Sequence, residues 1–175
     1  MGAISERPRT MWELYQYLPE GVPVQLINNL LIMSPAPKDC HQQLVVDISY
    51  ELTYFIKSKG LGKIRIAPSD VFLNKENIYQ PDIYFVATQN VTGFEEDGFH
   101  GAPDLVIEIL SPGSEKYDKN EKLKVYEASG VKEYWLVNPE NNKATGYFNT
   151  NGSFQLISED LNKISCKLLD TIFNF

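Results

Sequence analysis

Two stretches of this chain constrain the fold more than any others: QPDIYFVA at 80–87 and PDLVIEIL at 103–110. Ile83–Ala87 and Leu105–Leu110 are rich in β-branched and aromatic residues and do not alternate with polar ones. That pattern predicts central strands covered on both faces. VKEYWLVNP at 131–139 is a third run of the same kind. Between the second and third runs, Asp118 and Glu121 read as a cap–N3 pair opening a helix to about Ser129, with Gly130 past its end. Strand, helix and strand in that order predict one right-handed crossover in a mixed sheet. The expected class is α/β, a mixed β-sheet flanked by helices, and not an all-β sandwich.

The rest of the chain adds layers to this centre. TMWE at 10–13 has the form of a capping box and predicts a short helix ending near Leu18. VPVQLINNLLIMSP reads as an N-terminal hairpin turning at Asn28-Asn29, residues that tolerate left-handed backbone. Asp39 is the expected cap of a long helix with an apolar stripe of Leu44, Val45, Ile48, Leu52, Phe55 and Ile56, stopped by Gly60. KIRIAPSDVFLN reads as one strand kinked at Pro68. The segment with Gly93, Gly98 and Gly101 reads as an exposed, mobile loop. KATGYFNTNGSFQLI predicts a C-terminal hairpin turning at Asn151-Gly152, followed by an edge strand.

The chain has 175 residues, enough for one domain over 1–175 with a core of its own. No window is long and apolar enough to span a bilayer, and residues 1–16 lack a secretory apolar region. Cys40 and Cys166 have no partners at metal spacing and read as small buried residues in a reducing compartment, so cytoplasm is expected. The net charge of −7 argues against a sequence-independent nucleic-acid coat, which needs a broad basic surface. It does not exclude an enzyme that acts on nucleic acid through a local basic groove.

Glu108 is the anomaly. A buried, unpartnered carboxylate costs at least several kcal/mol, so such groups are normally paired or metal-bound. If neighbouring strands bring Asp82 beside it, repulsion raises that cost, and a hard divalent cation such as Mg²⁺ would relieve it. Such a cation can activate water and stabilise an oxyanion on phosphorus. A nearby cation from the chain is also wanted. The strand position two residues after Glu108 is Leu110, so Lys122 or Lys124 on the following helix must reach back. Two residues apart on a helix, they face different directions, so at most one points inward.

These residues sit in a wider pattern. TMWELYQYLPEG, LIMSPAPKDCHQQLV, APSDVFL, QPDIYFV and the stretch from APDLVIEILSPGSEKYDKNEKLKVYEASG to VKEYWLVNP resemble the Uma2 family, within the PD-(D/E)XK nuclease superfamily. The resemblance implies a restriction-endonuclease-like fold and a metal-dependent endonuclease acting on DNA, using Mg²⁺ or Mn²⁺. It implies Asp82 and Glu108 as catalytic metal ligands, helped by the Ile109 carbonyl. Lys122 falls on the family's lysine position, and His41 and Asp70 on recurrent positions near the site. Relatives usually read YELIDGELV in the first hairpin, where this chain has VQLINNLLI. Gln25 therefore replaces an acid, keeping a hydrogen-bonding oxygen without the charge. The alternative is a catalytically silent nuclease-fold protein that binds DNA or a protein partner. A homodimer suits the cutting of both strands of a duplex.

Overall fold

The structure is a computed structural model that describes residues 7–33 and 35–175. The N-terminal reading lies partly outside these residues. In chain order the elements are α1 (Met11–Gln16), β1 (Val24–Ile27), β2 (Leu30–Met33), α2 (Asp39–Lys59), β3 (Gly62–Ile66), β4 (Val71–Asn74), β5 (Asn77–Tyr79) and β6 (Ile83–Ala87). There follow β7 (Phe94–Glu95), β8 (Gly98–His100), β9 (Leu105–Ile109), α3 (Leu123–Ser129) and β10 (Glu133–Asn138). Two hairpins, β11 (Lys143–Thr150) with β12 (Ser153–Leu161) and β13 (Lys163–Cys166) with β14 (Thr171–Asn174), end the chain.

The central sheet has the strand order β12-β11-β10-β9-β6-β3. Within it β9 and β10 pair in parallel, joined through α3 as the crossover pattern predicts, and β6 runs antiparallel to β9 with Ile83 opposite Ile107. Alternation along the strands sends their side chains to two different cores. Ile83, Phe85, Ile107, Ile109, Trp135 and Val137 pack with Leu44, Ile48, Leu52 and Ile56 of α2. Tyr84, Val86, Val106, Leu110, Tyr134 and Leu136 pack with Ile27, Val71, Tyr79 and Phe99 of a second sheet and with Tyr126 of α3. Glu108 falls on this second face, so its burial comes from the packing of sheet on sheet. Close packing at Trp135 also explains one glycine: a Cβ on Gly146 would sit 2.5 Å from the indole.

The second sheet has the order β2-β1-β5-β4-β8-β7. Its outer face carries α1, through Tyr15 and Trp12 against Val24, Leu26, Phe72 and Ile78. Thr10 caps α1, its hydroxyl accepting from the Glu13 amide at 3.1 Å. The first hairpin turns at Asn28 and Asn29, both left-handed at φ 48° and 63°. Gly60, at φ 63°, ends α2, and Gly130 closes α3.

Five local expectations differ. Asp39 is the first residue of α2 and does not cap it; Lys38 occupies the cap position without a side-chain bond. KIRIAPSDVFLN is two strands in two sheets, because β3 pairs with β6 while β4 pairs with β5 and β8. Pro68 has no amide to continue a ladder, and residues 67–70 carry the chain across. The loop at 88–101 is ordered, with a 3-10 turn at Thr88–Gly93 and the β7–β8 hairpin around buried Phe99. The lone C-terminal edge strand is instead the β13–β14 hairpin. Cys166 is buried, but Cys40 is exposed on the first turn of α2. Among the described residues no helix is long and apolar enough to cross a membrane.

Candidate active site

Asp82 directly precedes β6 and Glu108 is the fourth residue of β9. The Ile83–Ile107 pairing sets them side by side. The Asp82 amide donates to Glu108 Oε2 at 3.3 Å, and the Ile109 amide donates to Asp82 Oδ2 at 2.7 Å. Asp82 Oδ1 accepts from no described residue. Two carboxylates are therefore fixed together by strand pairing, with one oxygen open.

The cation comes from the segment before α3. Tyr117–Lys122 is wound as a π-helix, a form that recurs at functional sites. Asp118 is thus not the helix cap expected from sequence. Its carboxylate is buried, and the Tyr134 hydroxyl donates to its carbonyl at 3.0 Å. Lys122 is buried too, with Nζ 2.9 Å from Asp118 Oδ1 and 3.0 Å from Glu108 Oε1. Its ammonium also lies 5.7 Å from the Tyr79 ring centre, in cation–π range. Tyr126 donates its hydroxyl to Glu108 Oε1 at 2.9 Å. Lys124 is exposed, and no described bond ties it to the site.

Burial pushes the Glu108 pKa up, and Asp118 and Asp82 push the same way against the pull of Lys122. Burial works against the Lys122 ammonium, but the adjacent Asp118 and Glu108 outweigh it and hold its pKa above the usual lysine value. Lys122 is therefore the fixed charge, and it opposes the rise at Glu108, whose pKa is still pushed up to about 8. Asp118 and Tyr126 complete the arrangement. From sequence alone Asp118 reads as a cap and Tyr126 has no part in the site, although each stands four residues from Lys122, and that spacing was the available signal.

His41, in the first turn of α2, places Nε2 3.2 Å from Asp82 Oδ2. Burial lowers its pKa, but the bond to Asp82, the charges of Asp82 and Glu108, and the Ile109 backbone raise it overall. Gln25 and Asp70 form an adjoining network. Gln25 Oε1 accepts from the Gln80 amide at 3.0 Å, while Asp70 accepts from Gln80 Nε2 and from Tyr15 Oη, each at 2.8 Å. Neither bonds to Asp82 or Glu108. Asp70 and Gln80 line a cleft of about 1210 Å³ that also holds Lys63, Arg65 and Phe94. Asp82 and Glu108 are not among its lining residues.

The donor set suits a hard cation. Two carboxylates and a backbone carbonyl, with waters completing the shell, are what Mg²⁺ takes. Among the described residues His41, Asp82 and Glu108 do not form a three-ligand cluster of side-chain atoms; Glu95, Asp97 and His100 do, on the exposed β7–β8 hairpin. That hairpin set makes no bond to Asp82 or Glu108, and His100 is already bonded to Asp97 at 2.8 Å.

A family model described as "Uma2: Putative restriction endonuclease" matches residues 12–169. Among solved structures the chain is similar to "a putative nuclease belonging to DUF820 from Anabaena variabilis ATCC 29413". That similarity has 19% identity, a TM-score of 0.75, and covers 93% of this chain and 92% of that one. No curated protein matches the chain.

Proposed function

The chain belongs to the Uma2 family, and from that premise we propose that it is a divalent-metal-dependent endonuclease that hydrolyses DNA phosphodiester bonds with activated water. One observation carries the reading: Asp82 and Glu108 lie side by side on paired strands, with buried Lys122 at 3.0 Å from Glu108. Asp82 and Glu108, with the Ile109 carbonyl, would hold Mg²⁺ or Mn²⁺. When bound, the cation supplies Lewis acidity toward a phosphate oxygen and lowers the pKa of water.

The chain's own groups do the remainder. Lys122 favours the anionic form of Glu108 against its burial and places positive charge behind the reacting phosphate. Asp118 holds Lys122 in position, and Tyr126 fixes the oxygen that Glu108 turns toward the lysine. His41 and the Ile109 amide hold Asp82 through Oδ2, leaving Oδ1 without a partner among the described residues. Gln25 ties β1 to the residue two before Asp82 without adding charge. The expected setting is cytoplasmic, as a homodimer whose twofold symmetry matches a duplex.

The test is cleavage of plasmid or short duplex DNA with Mg²⁺ or Mn²⁺, beside Asp82→Ala. Cleavage by the parent and not by the variant supports the reading. Equal cleavage by both would sink the assigned site. The second reading, a silent nuclease fold that binds DNA or a protein, is favoured by Gln25 and by the net charge of −7. No cleavage together with no metal heat in calorimetry would establish it over the first.

A further inference from the structure

Helix α2 has a second apolar face. Leu44, Ile48, Leu52 and Ile56 enter the core, while Val46, Tyr50 and Tyr54 stand on the solvent side at 58%, 69% and 71% exposure. Spaced four apart, these three form one continuous stripe along the helix. Single exposed apolar residues are ordinary, but a stripe with two aromatic rings is the pattern of a contact surface.

The charges along α2 say what covers it. Asp39, Asp47 and Glu51 lie in its first thirteen residues, and its basic residues, Lys57 and Lys59, in its last three. Such a helix complements itself only when reversed. Laid antiparallel on a copy about a twofold axis at Leu52, Tyr50 meets Tyr54, Asp47 meets Lys57 and Val46 meets Ser58. A parallel arrangement sets like charge on like. Among the described residues Lys57 has no ion pair and Asp47 is held only by Gln43 Nε2 at 2.9 Å. Both are free to turn to a partner.

We propose that the outer face of α2 is the twofold interface between two copies of this chain. Tyr50 stacks on the partner's Tyr54, and Asp47 pairs with the partner's Lys57. Because each contact occurs twice, the surface is self-complementary in the way a closed dimer requires. The proposal rests on the homodimer suggested above but not on nuclease chemistry, and its readout is mass.

Sedimentation of the full chain over a range of concentrations tests it, with circular dichroism to verify folding. The unaltered chain is expected to dimerise and Tyr50→Glu to be monomeric. Asp47→Lys and Lys57→Asp should each weaken the dimer by roughly tenfold or more in Kd, and the two together should restore it. A double variant as weak as the singles overturns the proposed register. Dimers untouched by Tyr50→Glu overturn the surface while leaving the homodimer standing. A monomer at every concentration overturns both, whatever the cleavage assay reads.

Discussion

At the N-terminal ends of β9 and β10 two buried acids, Asp104 and Glu133, are each held by donors; near the C-terminal end of β9, Glu108 is held by donors too, but shares its site with the carboxylates of Asp82 and Asp118. Asp104 accepts from the Ala87 amide at 2.7 Å and from Asn90 Nδ2 on both oxygens, and pairs with Lys132 at 2.6 Å. Glu133 accepts from Trp135 Nε1 at 2.6 Å and from the amides of Lys167 and Leu168. These acids join the 3-10 turn and the last hairpin to the sheet. Burial alone therefore does not separate a structural acid from a candidate catalytic one. What separates them is the company Glu108 keeps: two neighbouring carboxylates, a fully buried lysine and, on Asp82, an open oxygen. The open oxygen lies near the carboxyl end of a parallel strand, where ligands bind in open α/β sheets.

Replacing the two lysines tests this contrast most severely. Lys122→Met strands Glu108 and Asp118 as buried acids and is expected to cost about 3–5 kcal/mol in urea unfolding. Lys132→Met leaves Asp104 its amide donors and removes a half-exposed ammonium, so about 1 kcal/mol or less is expected. Equal losses would erase the distinction. Next come the glutamates. Glu133→Gln leaves at least one N–H donor unmet, costing about 1–3 kcal/mol, with metal affinity unchanged. Glu108→Gln should abolish Mg²⁺ binding by calorimetry and reduce cleavage to background.

A pH titration of stability sharpens the comparison further. Burial raises the Asp104 pKa, but Lys132, the Ala87 amide and Asn90 outweigh it and hold the value below the usual 3.8. A depressed carboxyl stabilises the fold above pH 3.8 and loses that contribution as pH falls through its folded value. Asp104→Asn should flatten the acid limb of the curve. His41 has the opposite sign: its raised pKa gives stability present below pH 6.5 and lost as pH climbs through the folded value. His41→Gln should remove that alkaline slope. The smallest effect on metal affinity is expected for Gln25→Glu. It keeps the acceptor for the Gln80 amide, adds a charge at a buried position at a cost of about 1–3 kcal/mol, and tightens Mg²⁺ binding by roughly tenfold or less.

Much of this was legible in the chain. The caps and turns at Thr10, Asn28-Asn29, Gly60 and Gly130 are local chemistry, and local sequence predicts them. The central strands follow from unbroken apolar runs, and Glu108 stood out because nothing local could satisfy it. What was missed depends on distant partners. Asp118 resembles a cap until Lys122, Glu108 and Tyr134 are placed around it. Glu133 and Asp104 are unremarkable until residues 167–168 and 87–90 supply their donors. The passage from β3 to β4 reads as one strand because no local signal says that its halves join different sheets.

The π-helical stretch at Tyr117–Lys122 has a consequence for alignment. Asp118, Lys122 and Tyr126 are spaced four residues apart and all are buried. In an α-helix four residues overshoot a turn of 3.6, so groups at that spacing wind steadily around the axis. The wider π turn takes more residues per revolution and winds them back. The opposite drifts on either side of Lys122 offset each other, so carboxylate, ammonium and phenol rise in one column beside Glu108. Deleting Asn120 would return the segment to α geometry and throw that column out of phase, leaving all of these side chains in the sequence and the lysine turned from its glutamate.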